Sequence, residues 1–356
     1  MKIIVDMMGG DRAPEETVKG VCQAAQEFNA SYILVGNQPE IERVAAENQL
    51  DIRRFDIVHT AQVITMEDDP LCVVRTKTES SMAVGMRLLA EGKGDAFVSS
   101  GNTGALFTGA TLIVRKIKGV LRAGIGTVLP FQNPVLLLDT GANVTVTEEN
   151  LEQFGVMGAA YMRGIYGIDR PRVGLLNNGA EACKGTALQQ GAYRLLSQNR
   201  DINFVGNIEG STAPFGSCDV LVADGFSGNI FLKSVEGVGK LLLGKLKGVL
   251  YSSPAAKLAA LTLKKQLMGM KKDMDPSEHG GAPILGISRP VIKAHGSSDA
   301  KAFKNAIRQA IAYADSEAIY DLALCIQRFN AHKKAEQERQ AQEQEPTQQQ
   351  GQQGQP

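Results

Sequence analysis

Apolar residues in this chain fall into two alternating patterns. Short, nearly continuous runs rich in β-branched residues stand at Lys2–Val5, Tyr32–Val35, Phe55–Val58, Asp95–Val98, Gly124–Leu129, Val135–Leu138, Arg172–Leu176, Asn203–Gly206 and Asp219–Val222. Runs without an alternating polar face predict strands covered on both sides. Between them lie stretches with helical spacing: Pro14–Phe28, Pro39–Asn48, Ser80–Ala90, Glu148–Tyr166, Lys184–Gln198 and Ala300–Asn330. Strand and helix in alternation predict an α/β fold, a largely parallel sheet with helices on both faces. No linker rich in Pro, Ser or Gly interrupts residues 1–330, which favours a single α/β catalytic domain over 1–332.

Two segments depart from this pattern. From Gln337 to Pro356, ten of twenty residues are Gln, and no aromatic or large aliphatic residue is present. Such a segment has no apolar surface to offset the entropy of ordering, so residues 333–356 are expected to form a disordered Gln-rich tail. Residues 237–272 carry eight lysines and no acidic residue, while the whole chain balances 38 Lys+Arg against 38 Asp+Glu. Leu241, Leu242, Leu243, Leu246, Val249 and Leu250 precede Pro254, and a second helical run follows it. In that run Lys257, Lys264 and Lys271 share one face, and Ala260, Leu263, Leu267 and Met270 recur at helical spacing on another. The segment is expected to form a protruding, cationic, amphipathic helical hairpin. It has three readings: a hairpin packed on the core, a docking patch for an acidic partner, or a tip lying on an anionic bilayer.

The neutral charge balance argues against a protein that coats nucleic acid. Cys22, Cys72, Cys183, Cys218 and Cys325 are scattered without a C-x-x-C pair, and the four histidines do not cluster. Neither a disulfide framework nor a structural zinc site is expected, and a reducing cytoplasm is the simplest home. Met1-Lys-Ile-Ile-Val-Asp6 has too short an apolar run for a signal peptide. The longest uncharged stretch, Ala96–Val114, contains Gly101, Gly104 and Gly109. It reads as a buried strand, a turn and a helix rather than a membrane span.

The candidate chemistry lies where strands end. Five times an apolar run passes into Gly, Asn and Asp before a helix: Asp6-Met-Met-Gly-Gly-Asp11, Ser99-Ser-Gly-Asn-Thr-Gly104, Asp139-Thr-Gly-Ala-Asn143, Asn177-Asn-Gly-Ala-Glu-Ala-Cys-Lys184 and Asp224-Gly-Phe-Ser-Gly-Asn229. Each alone reads as a tight turn with an N-cap. Five on one edge of a parallel sheet point to an anionic small-molecule site, because ligands bind at the carboxyl ends of such strands and helix N-termini favour anions. No G-x-G-x-x-G is present, and Lys184-Gly185-Thr186 reverses nothing of a P-loop except its order of Gly and Lys, so nucleotide binding is weakly supported. Lys184 is expected in the first turn of its helix, where a cation opposes the dipole unless an anion lies beside it. Cys183 reads as a buried spacer, with an activated thiol beside Lys184 as the alternative, and no serine elbow, Cys–His pair or H-E-x-x-H occurs. His295 suits an acid/base, a phosphate ligand or a structural histidine about equally.

Seven motifs carry a family resemblance: Val5-Asp-Met-Met-Gly-Gly-Asp-Arg-Ala-Pro14, Gly101-Asn-Thr-Gly-Ala105, Leu175-Leu-Asn-Asn-Gly179, Gly206-Asn-Ile-Glu-Gly210, Asp224-Gly-Phe-Ser-Gly-Asn229, Gly280-Gly-Ala-Pro283 and His295-Gly-Ser-Ser298. Together, in order from residue 2 to about 330, they resemble the PlsX-type phosphate acyltransferases. Met7, where the family usually has Ala, and a less glycine-rich Ile287-Ser-Arg-Pro290 are the departures. The resemblance implies a fold like that of phosphotransacetylases and isocitrate dehydrogenase, and a homodimer. It implies transfer of a long-chain acyl group from acyl carrier protein to inorganic phosphate, the product feeding a glycerol-3-phosphate acyltransferase in bacterial phospholipid synthesis. It also implies Lys184 and Asn229 as the catalytic residues. Asp6, Gly9, Gly10, Gly101, Asn102, Thr103, Asn178, Gly179, Asp224, Gly225, Gly228 and His295 are the candidates for binding phosphate and substrate. Phosphate is itself a nucleophile, so this chemistry needs neither metal nor organic cofactor. PlsX-type enzymes are regarded as peripheral membrane proteins of the cytoplasm, which favours the bilayer reading of 237–272, with Lys257, Leu263, Lys264, Leu267 and Lys271 as membrane or carrier-protein contacts. The alternatives are phosphotransacetylase-like transfer of a short acyl group between coenzyme A and phosphate, a non-catalytic membrane-surface scaffold, and a metal-dependent enzyme using Asp6, Asp11, Asp139 and Asp224.

Overall fold

The structure is a computed structural model that describes residues 1–266, 269 and 280–344. Its strands are β1 (Lys2–Asp6), β2 (Ser31–Gly36), β3 (Asp56–His59), β4 (Ala96–Ser99), β5 (Gly124–Pro130), β6 (Pro134–Leu138), β7 (Arg172–Asn177), β8 (Asn203–Glu209), β9 (Val220–Val222), β10 (Ala282–Leu285) and β11 (Val291–Lys293). The helices are α1 (Glu15–Glu27), α2 (Gln38–Glu47), α3 (Cys72–Arg75), α4 (Ser81–Ala90), α5 (Thr103–Gly109, extended by a π-type turn), α6 (Glu148–Tyr166), α7 (Ala187–Gln198), α8 (Gly225–Leu250) and α9 (Pro254–Thr262). Two more follow, α10 (Ala300–Asp315) and α11 (Ala318–Gln344).

Among the described residues one 11-stranded sheet forms, in the order β3-β2-β1-β4-β11-β10-β5-β6-β9-β7-β8. β1, β4 and β6 are buried on both faces, and their successive side chains join different cores because they point to opposite faces. Ile3, Val5, Ala96, Val98, Leu136 and Leu138 join one core that runs under both halves of the sheet, together with α6, α10 and α11. Ile4 and Phe97 face a second core with α4 and α5, and Val135, Leu137 and Leu221 a third, closed by Leu232 of α8. Each of these Val, Leu, Ile and Phe side chains contributes about 1.5–3 kcal/mol by leaving water.

Helix boundaries follow local signals. Ser80 caps α4 by accepting from Ala83 N. A Thr147/Asn150 capping box starts α6, and Gly167 in the left-handed region ends it. A box of Thr186 and Gln189 starts α7, so Lys184 lies in the preceding turn, which corrects its expected place in the first turn of the helix. The long helix expected over Ala300–Asn330 is broken at Ser316, which is extended and whose Oγ accepts from Ala318 N. α11 then continues to Gln344, so residues 333–344, expected to be disordered, are helical. Ala, Glu, Lys, Gln and Arg are good helix formers, and Lys334 and Glu338 pair one turn apart. Residues 345–356 lie outside the described residues.

The sheet corrects a further expectation. β1–β4 and β11 are mutually parallel, and so are β6–β9. Between these two sets stand three antiparallel pairings, β11–β10, β10–β5 and β5–β6. Three reversals leave the two sets pointing in opposite directions. The five polar segments therefore occupy opposite ends of the sheet, two after β1 and β4 and three after β6, β7 and β9.

Candidate active site

The first group lies where chain order reverses in the sheet, β1 having β2 on one side and β4 on the other. This is the crevice where open α/β sheets bind ligands. Asp6 is buried there; its Oδ2 accepts from Ser99 Oγ (2.6 Å) and its Oδ1 from Met8 N (3.1 Å). Burial pushes the Asp6 carboxyl above its usual range, with these hydrogen bonds opposing. Ser100 Oγ donates to Gly9 O (2.7 Å), and Asp11 N donates to Gly296 O (2.9 Å). Gly9 has no room for a side chain: a Cβ would stand 2.6 Å from Asp6 Oδ2 and 2.7 Å from Gly101 N. Gly10 meets Ser100 and Gly296 in the same way, so three loops pack backbone to backbone.

Asn102 is fully committed within this group. Its Nδ2 lies 3.0–3.2 Å from the carbonyls of Thr65, Met66 and Asp68, and its Oδ1 accepts from Ala105 N at the start of α5. Thr103 is exposed on the first turn of α5. Sequence reasoning missed Lys293, which ends β11 and is 7% exposed. Its Nζ donates to Ser100 O (3.3 Å) and to Ala294 O. Burial lowers the ammonium to about 8, with Asp11 and Asp6 pulling the other way. A lysine inside a three-residue apolar run gave no signal of its own. His295 follows it on the surface, its Nδ1 accepting from Ser297 N (3.2 Å), which leaves the proton of the neutral ring on Nε2.

In the second group the backbone amides are taken up by carboxylates of the chain itself. Asp139 accepts from Ile125, Gly141, Ala142 and Asn143 amides and from Asn143 Nδ2. Asp224 caps α8 by accepting from Phe226 N (3.0 Å) and Ser227 N (2.8 Å). Gly225 and Gly228 press the first turn of α8 onto the 139–143 loop; a Cβ on Gly225 would stand 2.7 Å from Asn143 O. Among the described residues no three His, Cys, Asp or Glu side chains converge on one point.

Two candidates face outward from this frame. Asn229 is exposed, and its Nδ2 donates to Thr140 O (2.9 Å), which fixes the orientation of the carboxamide. Lys184 is 46% exposed, with Nζ 4.0 Å from Glu181 Oε1, a contact worth little at the surface. They stand beyond the carboxyl ends of adjacent parallel strands, β9 and β7. Asn178 is exposed and Gly179 buried in the same turn. Cys183 is exposed, not the buried spacer expected, because the turn stands clear of the sheet before α7 begins.

α8 begins in the second group, and charges along it act on His295 of the first. It starts at Asp224, stacks Phe231 edge-on against Phe131, and buries Leu232. Burial, followed by the charges of Lys233, Lys293 and Lys240, holds His295 below the usual histidine range, and Glu236 opposes. Past Leu232 the helix leaves the core: Val238, Leu241, Leu242 and Val249 are exposed, as are Leu258, Leu261 and Leu263 beyond the bend at Tyr251–Ser253. Lys257 and Lys264 are exposed beside them, while Leu267 and Lys271 lie outside the described residues.

Comparison with known proteins places this arrangement. The solved phosphotransacetylase from Streptococcus pyogenes superposes with a TM-score of 0.57 over 92% of this chain and 94% of its own, at 17% identity, which shows a shared fold. The phosphate acyltransferase of Acetivibrio thermocellus is 46% identical over 90% of this chain and 94% of its own length. That of Shouchella clausii is 47% identical over 89% and 96%. The model of the fatty acid synthesis protein family matches residues 1–320, and the chain belongs to that family, the PlsX-type phosphate acyltransferases.

Proposed function

We propose that this chain moves a long-chain fatty acyl group from acyl carrier protein to inorganic phosphate, with Lys184 and Asn229 as the catalytic residues. The observation that carries the reading is their placement: an ammonium and an oriented carboxamide at the ends of adjacent strands β7 and β9, on a rigid backbone. In the reaction a phosphate oxygen attacks the thioester carbonyl carbon and a C–O bond forms. The tetrahedral oxyanion collapses, the C–S bond breaks, and the carrier thiolate takes up the proton released by the phosphate. Nucleophile and leaving group belong to the substrates, so the protein's contribution is positioning and charge stabilisation. Those can lower the barrier by about 7–11 kcal/mol at best and by roughly 3–4 kcal/mol per aimed donor, respectively. Lys184 suits neutralisation of phosphate or oxyanion, and the second N–H of Asn229 suits donation to the oxyanion. The glycine-rich loops around Gly9, Gly10 and Gly101, the turn at Asn178-Gly179, the start of α8 at Asp224–Gly228, and Thr103 and His295 form the candidate binding surface.

The outer half of α8 and α9 suit an anionic bilayer or the acidic carrier protein, since exposed leucines stand beside exposed lysines there. Among the described residues no helix is long and apolar enough to cross a membrane. This apolar tip favours a long-chain substrate over the short acyl group of a phosphotransacetylase. A homodimer, peripheral attachment to the cytoplasmic face and delivery of acyl phosphate to a glycerol-3-phosphate acyltransferase complete the proposal. The test is to mix the protein with long-chain acyl carrier protein and phosphate, and separately with acetyl-coenzyme A and phosphate. Acyl phosphate from the first mixture, without added nucleotide, is the expected result. Equal loss of thioester without phosphate, or preference for acetyl-coenzyme A, overturns it.

A further inference from the structure

The motif Gly206-Asn-Ile-Glu-Gly210 has no part in the reaction as described. Its Asn207 lies on β8, opposite Leu175 of β7, and is 7% exposed. Asn207 Nδ2 donates to Glu181 O at 2.8 Å. The assignment of the nitrogen is forced, since a carbonyl only accepts. Asn207 Oδ1 is buried with no hydrogen-bond partner among the described residues.

Glu181 O is the carbonyl that also accepts from Lys184 N (3.0 Å), closing the turn that carries Lys184. Other carboxamides hold the rest of that turn. Asn177 Nδ2 donates to Lys184 O (3.2 Å), and Gln190 Nε2 to Cys183 O (2.8 Å) and Gly185 O (3.2 Å). Gly185 turns the chain at φ 87°, a conformation that side chains disfavour. The carbonyls are thus drawn toward β7, β8 and α7, and the lysine side chain is left outward. Asn177 and Gln190 reach the turn from its own strand and helix. Asn207 alone of the three reaches it from a different strand, and so fixes where the turn sits against the sheet.

A buried carbonyl oxygen without a donor works against stability, so an apolar residue would serve the fold at least as well. What Asn207 provides is one donated bond, to the carbonyl on which the Lys184 turn closes. The geometry points to Asn207 as a positioning residue that acts through Lys184, setting the place of its ammonium relative to phosphate. This rests on the catalytic reading of Lys184.

The experiment is a double-mutant cycle. Asn207→Ala and the nearly isosteric Asn207→Asp are each made in the full chain and in Lys184→Ala. Turnover, KM for phosphate and melting temperature are measured for all. Asn207→Ala is expected to lower kcat/KM for phosphate about 10-fold, as for a displaced catalytic group, with the melting temperature unchanged or raised. Asn207→Asp is expected to lose more, because a carboxylate would then face the Glu181 carbonyl. In the Lys184→Ala background neither change should matter further, the sign of residues acting as a unit. Equal losses in both backgrounds, or losses that track a lower melting temperature, overturn the role of Asn207. A Lys184→Ala variant with full turnover overturns the parent reading, and this one with it.

Discussion

At the ends of β1, β4 and β11, buried polar side chains are spent on one another and on neighbouring loops. At the ends of β6, β7 and β9 they are turned on the backbone, and two side chains are left facing out. Asp6 with Ser99, Ser100 with Gly9, and Asn102 with three carbonyls consume their own hydrogen-bonding capacity. Asp139 and Asp224 instead organise loops from which Lys184 and Asn229 project. The same residue types therefore do different things at the two ends of one sheet. The first group builds a rigid crevice, while the second presents movable charge and an aimed amide.

The sharpest way to break this contrast is to remove the outward pair. Lys184→Ala and Asn229→Ala are each expected to lower acyl phosphate formation by ~100-fold or more, as for loss of an oxyanion donor, while melting stays unchanged. A smaller loss, or an unfolded variant, removes the distinction between the groups. The opposite behaviour is expected of the first group. Asn102→Ala takes the shared donor from three loop carbonyls and uncaps α5, so stability should fall by about 0.5–2 kcal/mol in denaturant unfolding. An Asn102→Ala protein that melts like the parent yet has no turnover would show that Asn102 meets substrate directly. The smallest effect expected concerns the hairpin, which shares α8 with the second group. Lys264→Ala should weaken sedimentation with anionic vesicles by about 1 kcal/mol, roughly fivefold, and added salt should weaken it for both proteins. Failure of the parent chain to sediment at low salt would assign the exposed leucines to a protein partner or a second copy.

Much of the frame was legible in the sequence because it rests on local signals. β1 to β9 are apolar runs, and the bounds of α6 follow from Thr147 and Gly167. β10 and β11 were missed, being four and three residues long and flanked by glycine and proline. Their absence hid the reversal of polarity, which no local pattern encodes. Asn102 and Asp224 were legible as polar strand-end residues but not as spent ones, since their partners are carbonyls and amides that every residue carries. Lys293 and Asn207 stayed hidden for the converse reason: each is a polar residue in a strand, and only the fold reveals what it reaches.

The way β11 and α10 return to the first half bears on the order in which the molecule can be made. β5 to β9 come from one contiguous stretch, whereas β4 waits for β11 at residues 291–293 and α1 waits for α10 at 300–315. A chain emerging from the ribosome N-terminus first therefore exposes the open flank of β4 and the apolar face of α1 until nearly all of it has been synthesised. The third core, drawn only from residues 129–232, can close earlier, although α6 likewise waits for α11 at 318–344. Contacts so distant in sequence form slowly, so this half is where a nascent chain would most need protection from aggregation.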